Sequence, residues 1–395
     1  MNDFYIREIS PENAESVIKD IGFDKSYIKT ALKKYDFKLY KICCLSCQQA
    51  TIIKQLALSV GADAAIHREV ITCKIEKTDL LLGSTISQLE IICQKMKKQP
   101  FSLQKISEQL LEQLNQSPSP IIIRRKEFNR AKKTYIMGIL NITPDSFSDG
   151  GIYLAPDKAA KHAEEMIECG VDIIDIGGES TRAYSKEVNP QEEMARVIPV
   201  IQKIRSVNSQ IVLSIDTRHS ETAEEAVKYG VDIINDVSGL EWDDKMPEVA
   251  AKFNVPVIIT HSLSSPETMQ INPVYEENIV DCVYKELFRK TQTAINAGIS
   301  PKNIIIDPGI GFGKTFEHNI ELIKRIDEFK SMKYPVLVGV SRKSVISKVI
   351  DGSAEEREDA NIALNSYLII KGVNIIRVHD VKKHFSAVKM LDKLL

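Results

Sequence analysis

Across the C-terminal two-thirds of the chain, eight short apolar runs each stop at a polar side chain able to do chemistry: Asn141, Glu179, Asp216, Asn235, His261, Asp307, Ser341 and Arg377. A buried strand ending this way, followed by a loop and an amphipathic helix, is the unit of a (β/α)8 barrel. That architecture builds its active site from the carboxyl ends of the strands, so the eight endings locate a site whatever it binds. The pattern predicts strands at 135–141, 171–177, 211–216, 231–236, 255–260, 303–307, 335–339 and 373–378. Helices are predicted at 157–170, 190–205, 219–229, 244–253, 276–297, 317–329, 354–371 and 380–394.

Three segments repeat one device. Cys169-Gly-Val-Asp-Ile-Ile-Asp175, Tyr229-Gly-Val-Asp-Ile-Ile-Asn235 and Lys371-Gly-Val-Asn-Ile-Ile-Arg377 each read as a helix end, a turn and a buried strand finishing in a different polar side chain. Gly170, Gly230, Gly298 and Gly372 fall just past a predicted helix, where a left-handed C-cap wants no Cβ. A doubly wound sheet is the rival architecture, but eight units and no GxGxxG after the first strand favour the barrel.

At 395 residues the chain exceeds one ordinary domain. It suits a barrel of about 250 residues joined to something smaller. Residues 1–118 mix helix-like runs (11–21, 47–60, 87–98, 102–115) with strand-like runs (4–8, 37–45, 64–73, 79–83), the pattern of a small accessory α+β domain with no catalytic motif. Gln116-Ser-Pro-Ser-Pro120 signals a linker. Residues 119–133 read as a basic lead-in whose Ile121-Ile122-Ile123 forms a strand or hairpin under the barrel, and 134–395 is the barrel itself. Charge is uneven: residues 1–133 carry 22 Lys/Arg against 15 Asp/Glu, although the whole chain is only -2. Complementary docking or a weak polyanion patch is one reading; a solvated linker at Arg124-Arg125-Lys126 is the plainer one.

No apolar run reaches the ~18 residues of a membrane span, and the N-terminus lacks a signal peptide's basic start and apolar stretch. Seven cysteines form no spaced disulfide framework, which points to a cytoplasmic location. Cys43, Cys44 and Cys47 have no companion CxxC or His pair at zinc spacing and read as packing residues.

The endings differ in chemistry. Asp307-Pro-Gly-Ile-Gly-Phe-Gly-Lys314 runs a strand end into a glycine-rich loop, where backbone can approach a ligand closely. Asp307 could accept two N–H bonds from a flat heterocycle; a capped turn is the alternative. Asp216 and Asn235, at matching strand ends, could read the same heterocycle. Ser341-Arg-Lys-Ser344 follows the seventh strand and Arg377-Val-His-Asp380 ends the eighth, the two places where phosphate sites recur in barrels. His379 is two residues beyond Arg377 and so on the same side of an extended strand. With Asn141 and Arg182 these groups could clamp a pyrophosphate, and Asn141 and Asp145 could give oxygens to Mg²⁺. His67, His162, His219, His318 and His384 lack such settings and read as surface or capping residues.

Taken together, MGILNITPDSFSDGG (137–151), DIGGESTR (175–182), SIDT (214–217), IINDVSG (233–239), DPGIGFGK (307–314), SRKS (341–344) and RVHD (377–380) closely resemble the signature segments of the dihydropteroate synthase family, in the family's order. The resemblance spans 134–395 and leaves the first 118 residues as an accessory extension. It implies a transferase of folate biosynthesis and a sulfonamide target. The reaction condenses 6-hydroxymethyl-7,8-dihydropterin pyrophosphate with para-aminobenzoate, with Mg²⁺ as cofactor. It further implies a homodimer with small-molecule substrates and neither nucleic-acid nor membrane partners. Carried over by position, Asp216, Asn235, Asp307 and Lys343 hold the pterin, while Asn141, Arg182, Arg377 and His379 hold the pyrophosphate. Asn141 also binds Mg²⁺, and Thr181, Ser341, Phe147 and Phe312 border the aminobenzoate. Asp216, Asp307, Lys343, Arg377 and His379 form the catalytic set. Glu179 and His261 receive no role.

Two departures stand out: Ala183-Tyr184 replaces the usual Pro-Gly, and Thr260-His261 replaces a Met-His pair. The first touches the aryl-amine side and leaves a different aryl amine open. A pterin-binding methyltransferase would share the Asp/Asn/Asp set but has no need of SRKS and RVHD. A regulatory paralogue would not need the pyrophosphate clamp.

Overall fold

The computed structural model describes residues 4–115, 120–124, 126–128, 133–142, 155–179, 188–263 and 273–395. They divide into two compact units, Met1–Gln116 and Ser117–Leu395.

In the first unit, β1 (Phe37–Leu45), β2 (Asp63–Ile66) and β3 (Thr78–Thr85) form an antiparallel sheet in the order β1-β3-β2. β3 alternates strictly, so Leu80, Leu82 and Ser84 turn inward. They meet a core shared with Ala50, Ile53, Leu89, Ile92 and Met96 from helices Cys47–Leu58 and Ile86–Met96. Both helices start in capping boxes, Ser46 with Gln49 and Thr85 with Gln88. Three local expectations fail here. Residues 4–8 form no strand: Phe4, Tyr5 and Ile6 are almost wholly exposed, because alternation without a neighbouring sheet edge gives no ladder. Helix Ile28–Tyr35 was not anticipated, being short and masked by Lys29, Lys33 and Lys34. The run 64–73 is a strand only at Asp63–Ile66, and then turns through Arg68–Val70.

The second unit opens with a hairpin, β4 (Ile121–Ile123) against β5 (Lys126–Phe128). Eight parallel strands follow: β6 (Tyr135–Asn141), β7 (Ile173–Gly177), β8 (Val212–Asp216), β9 (Ile233–Asp236), β10 (Val257–Thr260), β11 (Ile304–Asp307), β12 (Leu337–Val338) and β13 (Ile375–Val378). Each pairs with its neighbour in chain order, β13 pairs with β6, and the bridge Ile306–Val336 joins β11 to the start of β12, closing the ring. Helices alternate with the strands as expected, and their buried faces pack on the outside of the ring. The unit is a (β/α)8 barrel.

Inside the ring, Met137, Ile173, Val212, Ile233, Ile258, Ile305, Leu337 and Ile375 fill the amino-terminal half, and hairpin residues Ile121, Ile123 and Phe128 seal it from below. Arg124 is not a solvated linker residue: its guanidinium bonds Asp232 Oδ1 at 2.5 Å and the carbonyls of Ser209 and Gly230.

The three-fold repeat has a structural meaning. Its second polar position accepts a backbone N–H from the preceding strand or the turn leading into it each time: Asp172 from Ile136 (2.9 Å), Asp232 from Leu213 (2.9 Å) and Asn374 from Val336 (2.8 Å). The preceding glycine has positive φ, +89° at Gly170, where a Cβ would lie 2.2 Å from the Phe385 ring. Each repeat is thus a helix stop and a strand-start lock in one.

Replacing Asn374 by Ala leaves the Val336 N–H buried without an acceptor, which costs about 1–3 kcal/mol. The only tryptophan, Trp242, lies in the barrel unit, so urea unfolding followed by its fluorescence reads that unit's stability directly. A midpoint unchanged from wild type would contradict the assignment.

Candidate active site

Strand residues two apart face the same side, so the polar layer follows directly from the apolar plug. Above Ile173, Ile233, Ile305 and Ile375 stand Asp175, Asn235, Asp307 and Arg377. One step higher along their own strands come Asn141, Asp216 and His379. The sequence analysis gave no role to Asp175, which is the hub of the layer.

Asp175 is fully buried. Its Oδ2 accepts Arg377 Nε at 2.6 Å and Asn235 Nδ2 at 3.0 Å. Arg377 Nη2 donates to Asp216 Oδ2, also at 2.6 Å. One guanidinium thus bridges two carboxylates across the barrel, the fork geometry at which Arg excels. Burial pushes the Asp216 carboxyl up, with Asp175 and Glu193 adding to the effect, while Arg377 pulls it back; it settles at about 7. Arg377 itself is held above its ordinary range, because Asp175 and Asp216 outweigh its desolvation.

Asp307 ends β11. Its Oδ1 caps Gly309 N–H at 2.8 Å, so the turn-capping reading and the ligand reading each describe one oxygen. Burial raises its carboxyl, opposed by Lys343. Gly309 is required: at φ +69° a Cβ there would sit 1.9 Å from the His261 carbonyl oxygen. The loop turns over Lys314, a buried ammonium that donates to the carbonyls of Gly309 and Phe312, both at 2.9 Å, and to His261 Nδ1 at 2.9 Å. His261 Nε2 lies 3.0 Å from Glu286, and burial beside Lys314 depresses the imidazole to about 4. His261 therefore stays neutral and braces the loop. Lys343 reaches back across it to the Ile310 carbonyl, with Nζ 4.1 Å from the centre of the Phe312 ring. Desolvation lowers its ammonium to about 8, with Asp307 and Asp216 resisting.

Among the described residues, Asp216, Asn235 and Asp307 each spend one side-chain polar atom on the protein and keep one oxygen, the other carboxylate oxygen or the amide carbonyl, without a protein partner. Asn141 stands half-buried at the end of β6, its Oδ1 beside Gly177. Ser341 Oγ lies 2.9 Å from His379 Nδ1. Glu179 forms a two-point ion pair with Arg218, whose guanidinium in turn lies over the Trp242 ring. Asp145, Phe147, Thr181, Arg182 and the Ala183-Tyr184 departure lie outside the described residues. Three contributors were missed: Asp175, Lys314 and Arg218. For Asp175 a signal existed, since the repeat puts it in phase with Asn235 and Arg377. His384, expected at the surface, is buried in a polar network below Ser341.

Three side chains with an open acceptor oxygen at the barrel mouth, with cations at their edge, can accept from a nitrogen heterocycle beside an anion. Comparison with known proteins agrees. Residues 137–379 match the pterin binding enzymes. The chain is 43% identical to the dihydropteroate synthase of Clostridium beijerinckii over 271 residues, which cover 68% of this chain and 97% of that protein. The structure of dihydropteroate synthase from Clostridium difficile in the presence of pteroic acid has a TM-score of 0.63 at 44% identity, over 67% of this chain and 97% of that one. A probable bifunctional folylpolyglutamate synthase/dihydropteroate synthase of Halobacterium salinarum is 38% identical over 348 residues, 87% of this chain but 41% of that protein. That span is longer than the barrel unit, so the likeness extends into the first unit. The chain belongs to the pterin-binding enzyme family, among relatives that are dihydropteroate synthases.

Removing one partner from a buried ion pair strands the other charge, at about 3–5 kcal/mol. Asp175→Ala should therefore lower barrel stability by about that much, again read through Trp242, and Asp175→Asn by less, since an amide oxygen still accepts from Arg377. A loss under 1 kcal/mol in the alanine variant would remove Asp175 from the hub.

Proposed function

We propose that this chain is a dihydropteroate synthase: it condenses 6-hydroxymethyl-7,8-dihydropterin pyrophosphate with para-aminobenzoate, giving 7,8-dihydropteroate and pyrophosphate. The observation that carries the reading is the set of three uncommitted acceptors, Asp216, Asn235 and Asp307, flanked by Lys343 and Arg377. A pterin edge offers ring and exocyclic N–H donors and a carbonyl, which this pattern complements. Pteroic acid, present with the C. difficile enzyme, is a pterin joined to aminobenzoate.

Each residue has a task. Asp216, Asn235, Asp307 and Lys343 hold the ring, while Arg377 and His379, with Asn141 and Arg182, hold the pyrophosphate. Thr181, Ser341, Phe147 and Phe312 border the aminobenzoate. As the C–O bond breaks, its electron pair leaves with the pyrophosphate, and Arg377 takes up the growing charge without reorganising, because Asp175 and Asp216 already fix its plane. The methylene carbon left behind is a cation conjugated with the pterin. Carboxylates at Asp216 and Asp307 stabilise it, and the aniline nitrogen attacks and then gives up a proton to the released pyrophosphate or to water. A neutral aniline is already nucleophilic and needs no general-base device.

Mg²⁺ fits as a group shared with substrate. Asn141 offers one oxygen at the mouth, and Mg²⁺ is a cation that prefers oxygen donors. Among the described residues no three His, Cys, Asp or Glu side chains make a metal cage. Asn141 and Asp145 would hold the ion, which when bound helps neutralise the departing pyrophosphate. The proposal places the enzyme in the cytoplasm as a homodimer. No disulfide is formed among the described residues, and no helix there is long and apolar enough to cross a membrane.

Pyrophosphate release with the pterin pyrophosphate, Mg²⁺ and para-aminobenzoate tests the reading. Wild type should turn over only with the aminobenzoate, and Lys343→Ala should lose about 10²–10³-fold in kcat/KM. Turnover confined to another aryl amine would move the substrate, and none at all would overturn the function.

The acid–base state of Asp216 gives a second check. Its carboxyl titrates near 7 and must be ionised to stabilise the cation, so kcat/KM should rise with pH through about 7. Asp216→Asn should lose that limb as well as most activity. A wild-type profile flat from pH 5 to 9 would show that another group controls the reaction.

A further inference from the structure

Behind the anion clamp lies a buried polar chain that, apart from Ser341 at its head, the mechanism above does not use. It runs from Ser341 through Asn361 to Glu358, Asn365 and His384, on helices Glu358–Ile370 and Val381–Leu394. Every one of these side chains is buried. Five charged or polar groups this deep, at the back of the proposed phosphate site, call for an account.

The hydrogen-bond pattern fixes the protons. Asn361 Nδ2 donates to Glu358 Oε1 at 3.1 Å, which sets the amide's orientation, because its oxygen could not face a carboxylate. The second Nδ2 proton then goes to Ser341 Oγ at 3.2 Å. Asn361 Oδ1 accepts from Asn365 Nδ2 at 3.1 Å. Asn365 also donates to His384 Nε2 at 2.9 Å, so His384 carries its proton on Nδ1, which lies 2.9 Å from the Asp380 carbonyl. At the other end, Ser341 Oγ accepts a second bond from the His379 backbone N–H at 3.3 Å.

A hydroxyl has two lone pairs and one proton. Both lone pairs of Ser341 are taken, by Asn361 and by the His379 backbone. Its proton can only go to His379 Nδ1, 2.9 Å away. We infer that Asn361, acting through Ser341, is a positioning residue that holds His379 as the neutral tautomer protonated on Nε2. His379 then meets a pyrophosphate oxygen as a hydrogen-bond donor with fixed ring orientation. On this view Ser341 serves the anion side of the site. The inference rests on the proposed synthase reading for its ligand, though not for its proton arrangement.

The test uses the full chain labelled with ¹⁵N-histidine, the His379 signals being assigned from a His379→Gln variant. Long-range ¹H–¹⁵N spectra should show His379 in wild type as a single tautomer, Nε2 protonated and Nδ1 bare. Asn361→Ala and Ser341→Ala should each move both nitrogens toward averaged shifts. Calorimetry with inorganic pyrophosphate should show about a tenfold loss of affinity in each variant. The double variant should be no worse than Ser341→Ala, because Asn361 acts only through that hydroxyl. In turnover assays of Asn361→Ala, KM for the pterin pyrophosphate should rise while KM for aminobenzoate stays put. Protonation of His379 on Nδ1 in wild type would overturn the inference, as would unchanged shifts or unchanged pyrophosphate affinity in the variants. If Asn361→Ala does not fold, the wild-type tautomer and Ser341→Ala decide the matter alone. If the tautomer and affinity effects appear but wild type makes no dihydropteroate, the synthase reading fails and the positioning role stands.

Discussion

One guanidinium organises this molecule's chemistry. Arg377 sits inside the barrel between Asp175 and Asp216, 2.6 Å from each. An isolated charge there would carry several kcal/mol of desolvation. Bound to two carboxylates it becomes tolerable, and the arrangement leaves a cation facing the mouth in a fixed plane. The same contact tunes Asp216: burial drives its carboxyl up, and Arg377 pulls it back to about 7. Structural pairing and catalytic tuning are one interaction here.

The rest of the site follows a division of labour within single side chains. Asp307 gives one oxygen to Gly309 and keeps the other; Asn235 gives its amide protons to Asp175 and keeps its carbonyl. Half of each group anchors it and the other half is available to a ligand, which is how a rigid, preorganised heterocycle site is built without extra parts. Around this layer lie supports held by protein contacts. Lys314 and His261 brace the glycine loop, and Arg218 fixes Glu179 near the mouth.

Much of this was legible in the sequence. Barrel strands at 135–141 and 373–378 stand close to where periodicity puts them, since buried parallel strands are nearly continuous apolar runs with glycine-capped helices between. Asp216, Asn235, Asp307 and Arg377 declared themselves as strand endings. Asp175 did not, because it sits two residues inside its strand's end, although the repeat Gly-Val-Asp-Ile-Ile-Asp aligns it with Asn235 and Arg377. Lys314 and His384 were illegible for a different reason. A lysine after a glycine loop and a histidine on an amphipathic helix look exposed until tertiary packing buries them. Strand 4–8 failed because alternation reports a half-buried surface only where a partner strand exists.

The central claim is that the ring and the anion occupy adjacent halves of one polar layer. A crystal structure of the chain with a pterin and pyrophosphate bound tests it most directly. The account predicts the pterin edge within hydrogen-bond distance of the second carboxylate oxygens of Asp216 and Asp307 and of Asn235 Oδ1, and pyrophosphate oxygens on Arg377 and on Nε2 of His379. A pterin seated elsewhere, or a pyrophosphate that leaves Arg377 uncontacted, would contradict it.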